Sequence, residues 1–92
     1  MEKRIMDTSI LANYRNRQVI INEYQEEDFL ENRTGFHFET IVVTENSILF
    51  QRMNNNDFIL TLEKTSCFVA NDDFQNYYIL KNDSNRVEIY FP

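Results

Sequence analysis

The chain has 92 residues, an apolar fraction of 42% and a formal net charge of −6 at pH 7. A chain of this length folds around one small core, and its apolar content suffices without disulfides or metal. The acidic excess argues against binding to nucleic-acid phosphates or anionic membranes, because both need clustered Lys and Arg. Residues 1–92 are therefore predicted to form a single domain whose charge suits a protein partner with a basic surface.

The cysteine count, the hydropathy and the amino-acid composition bear on the cellular compartment and the source of the protein. Cys67 is the only cysteine, so an intramolecular disulfide and a cysteine zinc cluster are excluded. The N-terminal sequence has no apolar run typical of a secretion signal, and no stretch approaches the ~20 apolar residues of a membrane span. These features predict a cytoplasmic protein. Asn occurs twelve times while Gly and Pro occur once each, a composition that AT-rich codons favour and that predicts a low-GC bacterium, phage or mobile element as the source.

The first predicted element is a short helix over DTSILANYRNR, residues 7–17, with Asp7 or Thr8 as its N-cap. Apolar residues at helical spacing would turn towards the core; they are Ile5, Met6, Ile10, Leu11 and Tyr14. From Gln18 onward the apolar residues follow a period of two, which is typical of strands. The remainder of the chain is therefore predicted to be β-structure.

The predicted strands lie, in chain order, in RQVIINEY, GFHFETIVVTE, ILFQRM, FILTLEK, CFVA, QNYYILK and RVEIYFP. Short polar turns separate them and leave no room for helical crossovers, so the sheet should be antiparallel. About seven short strands of this kind form a meander that curls into a small barrel or sandwich. The predicted fold class is mainly β, with a β-rich α+β fold as the alternative.

Alternation within these strands predicts which side chains share a face. In the second strand Phe36, Phe38 and Val42 should point one way, and His37, Glu39, Ile41 and Val43 the other. Ile48 and Phe50 should share one face, and so should Phe58, Leu60 and Leu62. At the end of the chain Val87, Ile89 and Phe91 should point inward and Glu88 and Tyr90 outward.

The sweep IVVTENSILFQRM…DFILTLEK resembles the middle strands of bacterial pleckstrin-homology-like domains, in which an extended strand, a Thr-led turn and an apolar strand recur. The resemblance covers about thirty residues. It implies a small barrel and nothing about ligands. The chain departs from that family in ending on EIYFP, where the family has a C-terminal helix.

Residues with catalytic or metal-binding chemistry are sparse. His37 is the only histidine, and Cys67 lies in the apolar strand SCFVA, where a buried thiol is the ordinary interpretation. The single Gly35 excludes the glycine-rich loops that hold phosphates. Asp72-Asp73 and the segment 82–85 offer oxygen ligands, but turns favour these residue types in any case. We therefore predict no enzyme activity, no cofactor and no metal site.

The main candidate site is an acidic stretch between the first two predicted strands. Its predicted partner-binding residues are Glu23, Tyr24, Glu26, Glu27, Asp28 and Glu31. A helical turn in this stretch would crowd like charges on one face, with Phe29 and Leu30 tucked against the sheet. Three interpretations stay open: a solvated connection, a docking surface for a basic protein, and an acid–base or metal site.

A second candidate is aromatic. Tyr77 and Tyr78 are adjacent in one predicted strand and therefore point to opposite faces. With Tyr90 they are predicted to place one tyrosine on the outside of the sheet. Either ordinary cross-strand packing or a protein interface would explain such a tyrosine.

Together these features predict a small acidic protein-binding factor, such as an inhibitor, immunity or anti-defence protein of phage or mobile-element origin. The alternatives are a ligand-binding barrel and a structural subunit of a larger assembly.

Overall fold

The structure is a computed structural model that describes residues 2–4, 8–25, 29–53, 56–62, 67–71, 75–82 and 85–92. The strands within these residues are β1 Glu2–Arg4, β2 Arg17–Gln25, β3 Phe29–Phe38, β4 Thr40–Val43, β5 Ser47–Gln51, β6 Phe58–Thr61, β7 Cys67–Asn71, β8 Tyr77–Lys81 and β9 Asn85–Tyr90. A short 3-10 helix, Thr8–Asn13, lies between β1 and β2. The predicted turns at Asp72-Asp73 and within 54–57 and 82–85 lie wholly or partly outside the described residues.

The strands form two antiparallel sheets. The large sheet has the order β1-β7-β8-β9-β2-β3, and the small sheet has the order β4-β5-β6. One face of the large sheet packs against the small sheet, and we call it the inner face; the opposite face is the outer face. Alternation along β9 places Ile89 and Phe91 on the inner face and Tyr90 on the outer face, as predicted.

The chain passes from the large sheet to the small sheet at Glu39. This residue lies at a bend between β3 and β4, where its N–H donates to the Gln51 carbonyl at 2.8 Å and its carbonyl accepts from the Asn16 N–H at 2.9 Å. The bend inverts the alternation, so that Ile41 is buried and Val42 is 40% exposed. The prediction of one continuous strand with Val42 on the face of Phe38 was therefore wrong.

Aromatic rings fill the interior between the sheets. The rings of Phe38 and Phe50 meet edge to face at 5.6 Å, and those of Phe38 and Phe91 meet at 5.8 Å. All three side chains are at most 1% exposed. Edge-to-face contacts of this kind add to the stability from area burial alone. The predicted shared faces of Ile48 with Phe50 and of Phe58 with Leu60 and Leu62 are confirmed, since all five belong to this core or pack on it.

The 3-10 helix closes one side of the core. Leu11 is fully buried, and Ile10 and Tyr14 pack against the core as predicted. The Tyr14 ring stacks on Phe91 with 4.0 Å between centroids. The predicted N-cap Asp7 and the residues Ile5 and Met6 lie outside the described part of the chain. The predicted helix is thus confirmed as a short 3-10 element over Thr8–Asn13, whereas its predicted continuation to residue 17 was wrong, because β2 begins at Arg17.

The mainly β, antiparallel fold class is confirmed, because strands make up 67% of the structure. The two sheets do not close into a barrel, so the barrel form of the prediction was wrong. The described residues hold nine strands, not about seven. The difference comes from the break at Glu39, which splits one predicted strand, and from β1, which pairs with β7 although its sequence EKR has no apolar alternation.

Candidate protein-binding surface

The predicted acidic site lies at the end of a hairpin formed by β2 and β3. We define the hairpin end as residues 22–25 of β2 and 29–32 of β3. Gln25 is paired with Phe29, so residues 26–28 connect the two strands. Of the predicted site residues, Glu23 and Tyr24 are half-buried in β2 and Glu31 is exposed in β3. Glu26, Glu27 and Asp28 lie outside the described residues.

Glu31 occupies an irregularity in the hairpin. Glu23 is paired with Asn32 and Tyr24 with Leu30, which leaves Glu31 as the extra residue of a β-bulge. The described residues on both sides of the connection are strands, so like charges are not stacked on helical turns there. The expectation of a helical turn is wrong for those residues.

Phe29 and Leu30 do not pin the acidic stretch against the sheet. Phe29 is 66% exposed and Leu30 is 45% exposed. Their part of β3, residues 29–33, is exposed throughout, which shows that the hairpin end extends past the region where the small sheet covers the large one. The predicted role of these two residues was wrong. They are instead large apolar side chains at the surface, held by an ordered strand and next to the acidic residues.

The outer face next to the hairpin end carries a half-buried polar cluster. Glu88 lies at its centre, with Asn22 Nδ2 3.5 Å from Oε1 and Arg86 Nε 3.5 Å from Oε2. The Tyr77 hydroxyl donates a hydrogen bond to Glu88, and burial followed by this bond raises the pKa of Tyr77. The Arg86 guanidinium lies 4.3 Å from the ring centroid of Tyr24, which fixes the predicted site residue Tyr24 beside the cluster.

Sequence reasoning did not find this cluster, although the period-two pattern of β8 and β9 contained the signal. Tyr77 and Tyr90 are paired across these strands on the outer face, with 6.3 Å between ring centroids. Tyr78 points inward and packs on the core. The expectation that one tyrosine of the pair 77–78 lies outside the sheet is therefore met by Tyr77. Tyr90 is 39% exposed on the outer face.

The candidate catalytic residues do not meet. Cys67 lies on β7 and His37 on β3, and β8, β9 and β2 lie between those strands. Four strand spacings of about 4.8 Å separate them by roughly 19 Å. Among the residues that the structure describes, no three His, Cys, Asp or Glu side chains are grouped to hold a metal ion. In the same residues no helix is long and apolar enough to cross a membrane.

A small cleft opens between β6 and the β8–β9 hairpin. Its volume is about 110 Å³. Leu60, Leu80, Lys81 and Val87 are among the residues that line it. Pockets for small ligands usually enclose roughly 300–1,000 Å³, so this cleft is smaller than a usual ligand site.

No protein-family model matches the chain, and neither a curated protein nor a solved structure shows significant similarity to it.

Proposed function

We propose that the chain is a small non-enzymatic factor that binds another protein through the hairpin end. The exposure of Phe29 and Leu30 carries this proposal, since one is 66% and the other 45% exposed in an ordered strand. Apolar side chains at the centre of a polar rim are the usual anchors of a protein interface. A solvated connection alone would need no exposed phenylalanine.

Charge favours a basic partner. The acidic run from Glu23 to Glu31 surrounds the two apolar residues in sequence, and the whole chain carries a net charge of −6. Electrostatic complementarity of this kind speeds association and rejects acidic competitors. Phe29 and Leu30 are adjacent in β3 and point to opposite faces of the hairpin. The expected partner is therefore a protein with an apolar cleft bordered by Lys or Arg, which holds the hairpin end and contacts Phe29 on one side and Leu30 on the other.

The biological setting is proposed on composition. Small size, acidity, an Asn-rich composition of the kind that AT-rich codons favour, and a sparse set of catalytic residue types together fit an inhibitor, immunity or anti-defence protein of phage or mobile-element origin that acts in the cytoplasm. A ligand-binding barrel is less favoured, because the two sheets do not close. The open arrangement and the small cleft leave the hairpin end as the better candidate.

The test compares baits in affinity capture from the source cell. We expect a partner retained by the wild-type chain to be lost with Phe29→Ala and with the triple variant Glu26→Lys, Glu27→Lys, Asp28→Lys. Thermal unfolding of Phe29→Ala should be unchanged, because its ring is mostly in solvent. Ile59→Ala is the matched control, since Ile59 is 57% exposed but lies on β6 of the small sheet.

The purified partner then gives the decisive measurement. Its affinity should fall with rising salt and should drop by roughly tenfold or more in Phe29→Ala, as for an interface anchor. A partner that binds Phe29→Ala and the triple charge reversal as tightly as it binds the wild type would refute the proposal.

A further inference from the structure

The cleft between β6 and the β8–β9 hairpin lies at the same end of the large sheet as the hairpin end. Asn85, which lines the cleft, is paired with Gln25 of β2, and Gln25 is paired with Phe29 of β3. Residues directly opposite each other in antiparallel strands point to the same face. Asn85 alternates with the inner-face residue Val87, so Phe29 also lies on the inner face, about 10 Å from Asn85 across two strand spacings. The cleft therefore adjoins the surface that the proposed partner covers.

An acidic side chain lies on the inner face beside the cleft. Glu23 is paired with Val87, which lines the cleft, and it is two residues from the buried Ile21. Its side chain is therefore on the inner face, one strand away from Val87. Glu23 is half-buried, and among the residues that the structure describes none forms an ion pair or a side-chain hydrogen bond with it. A cation supplied by a partner would form a charge-assisted hydrogen bond with this carboxylate.

The cleft itself has apolar walls. Leu60 and Leu80 are each 7% exposed, and Val87 packs against the core with them. Asn82 and Asn85 also line the cleft, but they bond to each other. The Asn85 N–H donates to Asn82 Oδ1 at 2.8 Å, and the Asn82 N–H donates to the Asn85 carbonyl at 3.0 Å. The cleft therefore suits an apolar group, which gains free energy by leaving water.

The volume of the cleft, about 110 Å³, has room for one side chain. An apolar cavity of ~150 Å³ holds one benzene molecule, so the cleft can take an aliphatic side chain such as Leu, Ile or Val. Lys81 also lines the cleft. It is paired with Cys67 and with Arg86, which places its side chain on the outer face together with that of Arg86. Its charge is therefore directed away from Glu23.

We propose that the cleft receives one aliphatic side chain of the protein partner, and that a Lys or Arg two residues away in the partner pairs with Glu23. Side chains at i and i+2 of an extended segment share a face and are about 7 Å apart. That spacing fits the step from the cleft to Glu23, one strand beyond Val87. This inference rests on the proposed function, because it gives the chemistry that the partner carries beside Phe29.

Short peptides test the two contacts separately. The probe is acetyl-Lys-Ser-Leu-Ser-Lys-amide, which presents a lysine on either side of the leucine and is titrated into the isotope-labelled full chain by NMR. We expect a dissociation constant on the order of 1 mM, with shifted methyl signals of Leu60, Leu80 and Val87. Replacing the peptide leucine by serine should weaken binding roughly tenfold, because the apolar contact is lost. Replacing both lysines by glutamates should weaken it roughly threefold or more.

A charge reversal identifies Glu23 as the acidic contact. Glu23→Lys should lower the preference for the lysine peptide over the glutamate peptide by roughly tenfold, and Glu23→Gln should lower it by roughly threefold. Glu45→Lys is the matched control, because it changes the net charge equally and Glu45 is exposed between β4 and β5. It should change the preference by less than about twofold. Glu23→Gln gives the reading should Glu23→Lys not fold.

The cleft is tested by Val87→Ile, which adds one methylene group to its wall. This variant should weaken binding of the leucine peptide by roughly threefold and hardly affect a peptide with alanine in place of leucine. Such a change in preference would not follow from a general loss of stability. Phe29→Ala should leave the binding of every peptide unchanged, because Phe29 lies outside the cleft. The variant thus separates this test from that of the hairpin end.

Four results would overturn the proposal. The first is a lysine–leucine peptide that shifts no signal of the cleft at roughly 10 mM. The second is an equal response of Glu23→Lys and Glu45→Lys, and the third is an unchanged leucine preference in Val87→Ile. The fourth is a shift of the cleft signals with protein concentration alone, which would assign the cleft to a second copy of the chain. A partner that needs Phe29 while the peptides fail would refute the cleft and leave the hairpin end standing.

Discussion

The hydroxyl of Tyr14 connects its own side chain to those of Asn76 and Tyr78. Its removal should lower the free energy of unfolding more than removal of the Tyr78 hydroxyl. It donates to Asn76 Oδ1 at 2.9 Å and lies 2.7 Å from the Tyr78 hydroxyl. Because a hydroxyl carries one hydrogen, Tyr78 must be the donor to Tyr14. The hydrogen bonds therefore run from Tyr78 through Tyr14 to Asn76.

The direction of these hydrogen bonds predicts that removing the Tyr14 hydroxyl and removing the Tyr78 hydroxyl destabilise the fold by unequal amounts. Tyr14→Phe preserves the ring that stacks on Phe91 but leaves the Tyr78 donor and the Asn76 acceptor without a partner, which should lower the free energy of unfolding by about 2 kcal/mol. Tyr78→Phe leaves Tyr14 bonded to Asn76 and removes one acceptor contact, which should cost about 0.5–1 kcal/mol. The double variant should cost less than the sum by about 0.5–1 kcal/mol, because the orphaned donor is gone.

Urea unfolding of the wild type, the two single variants and the double variant is monitored by circular dichroism at one pH. It gives the difference in free energy of unfolding between each variant and the wild type. Equal slopes against urea would show that the variants change stability and not the unfolded chain. The reasoning is refuted if Tyr78→Phe costs as much as Tyr14→Phe, or if the two effects add without coupling.

Further predictions concern pH, the core and one turn. Burial raises the folded-state pKa of both Tyr14 and Tyr77. The contribution of these two tyrosines to stability should therefore be constant below about pH 10 and fall above it by at most ~1.4 kcal/mol per pH unit for each tyrosine. Tyr77→Phe should reduce that slope in urea titrations at several pH values, and an unchanged slope would contradict it. Phe38→Ala should cost about 3–5 kcal/mol, whereas Ile59→Ala should change stability by less than about 0.5 kcal/mol, both measured by urea unfolding; similar costs for the two would contradict the assigned burial. Asn16 has a φ of 50°, so Asn16→Gly should be tolerated and Asn16→Val should lower stability by about 1–2 kcal/mol. Thermal unfolding measures both variants, and equal melting temperatures for the two would contradict the prediction.

The sequence predicted best the strands whose side-chain pattern alone decides their faces. In β5 Ile48 and Phe50 lie two residues apart and so share one face, and both residues are fully buried. At the end of the chain Ile89 lies between Glu88 and Tyr90, and it is fully buried as well. Local periodicity is sufficient there, because one face meets the core and the other meets solvent.

The failures have a common physical origin in contacts between distant residues. Nothing local in FETIVV marks Glu39 as a bend, because the cause is a pair of backbone hydrogen bonds to Asn16 and Gln51. β1 exists because β7 offers an edge about seventy positions away. Phe29 and Leu30 were predicted to pack on the sheet because apolar residues usually do, but the hairpin extends past the small sheet that would have covered them.

The sequence singles out the candidate site by its charge alone. The acidic run predicts a docking surface, and the structure adds the exposure of Phe29 and Leu30 beside it. The alternation of β8 and β9 placed Tyr77 and Glu88 on one face, but the half-buried polar cluster around Glu88 also depends on the pairing of β9 with β2, which brings Asn22 to it. The charge of a segment can be read from its sequence, but the exposure of its side chains depends on how far the small sheet covers the large one.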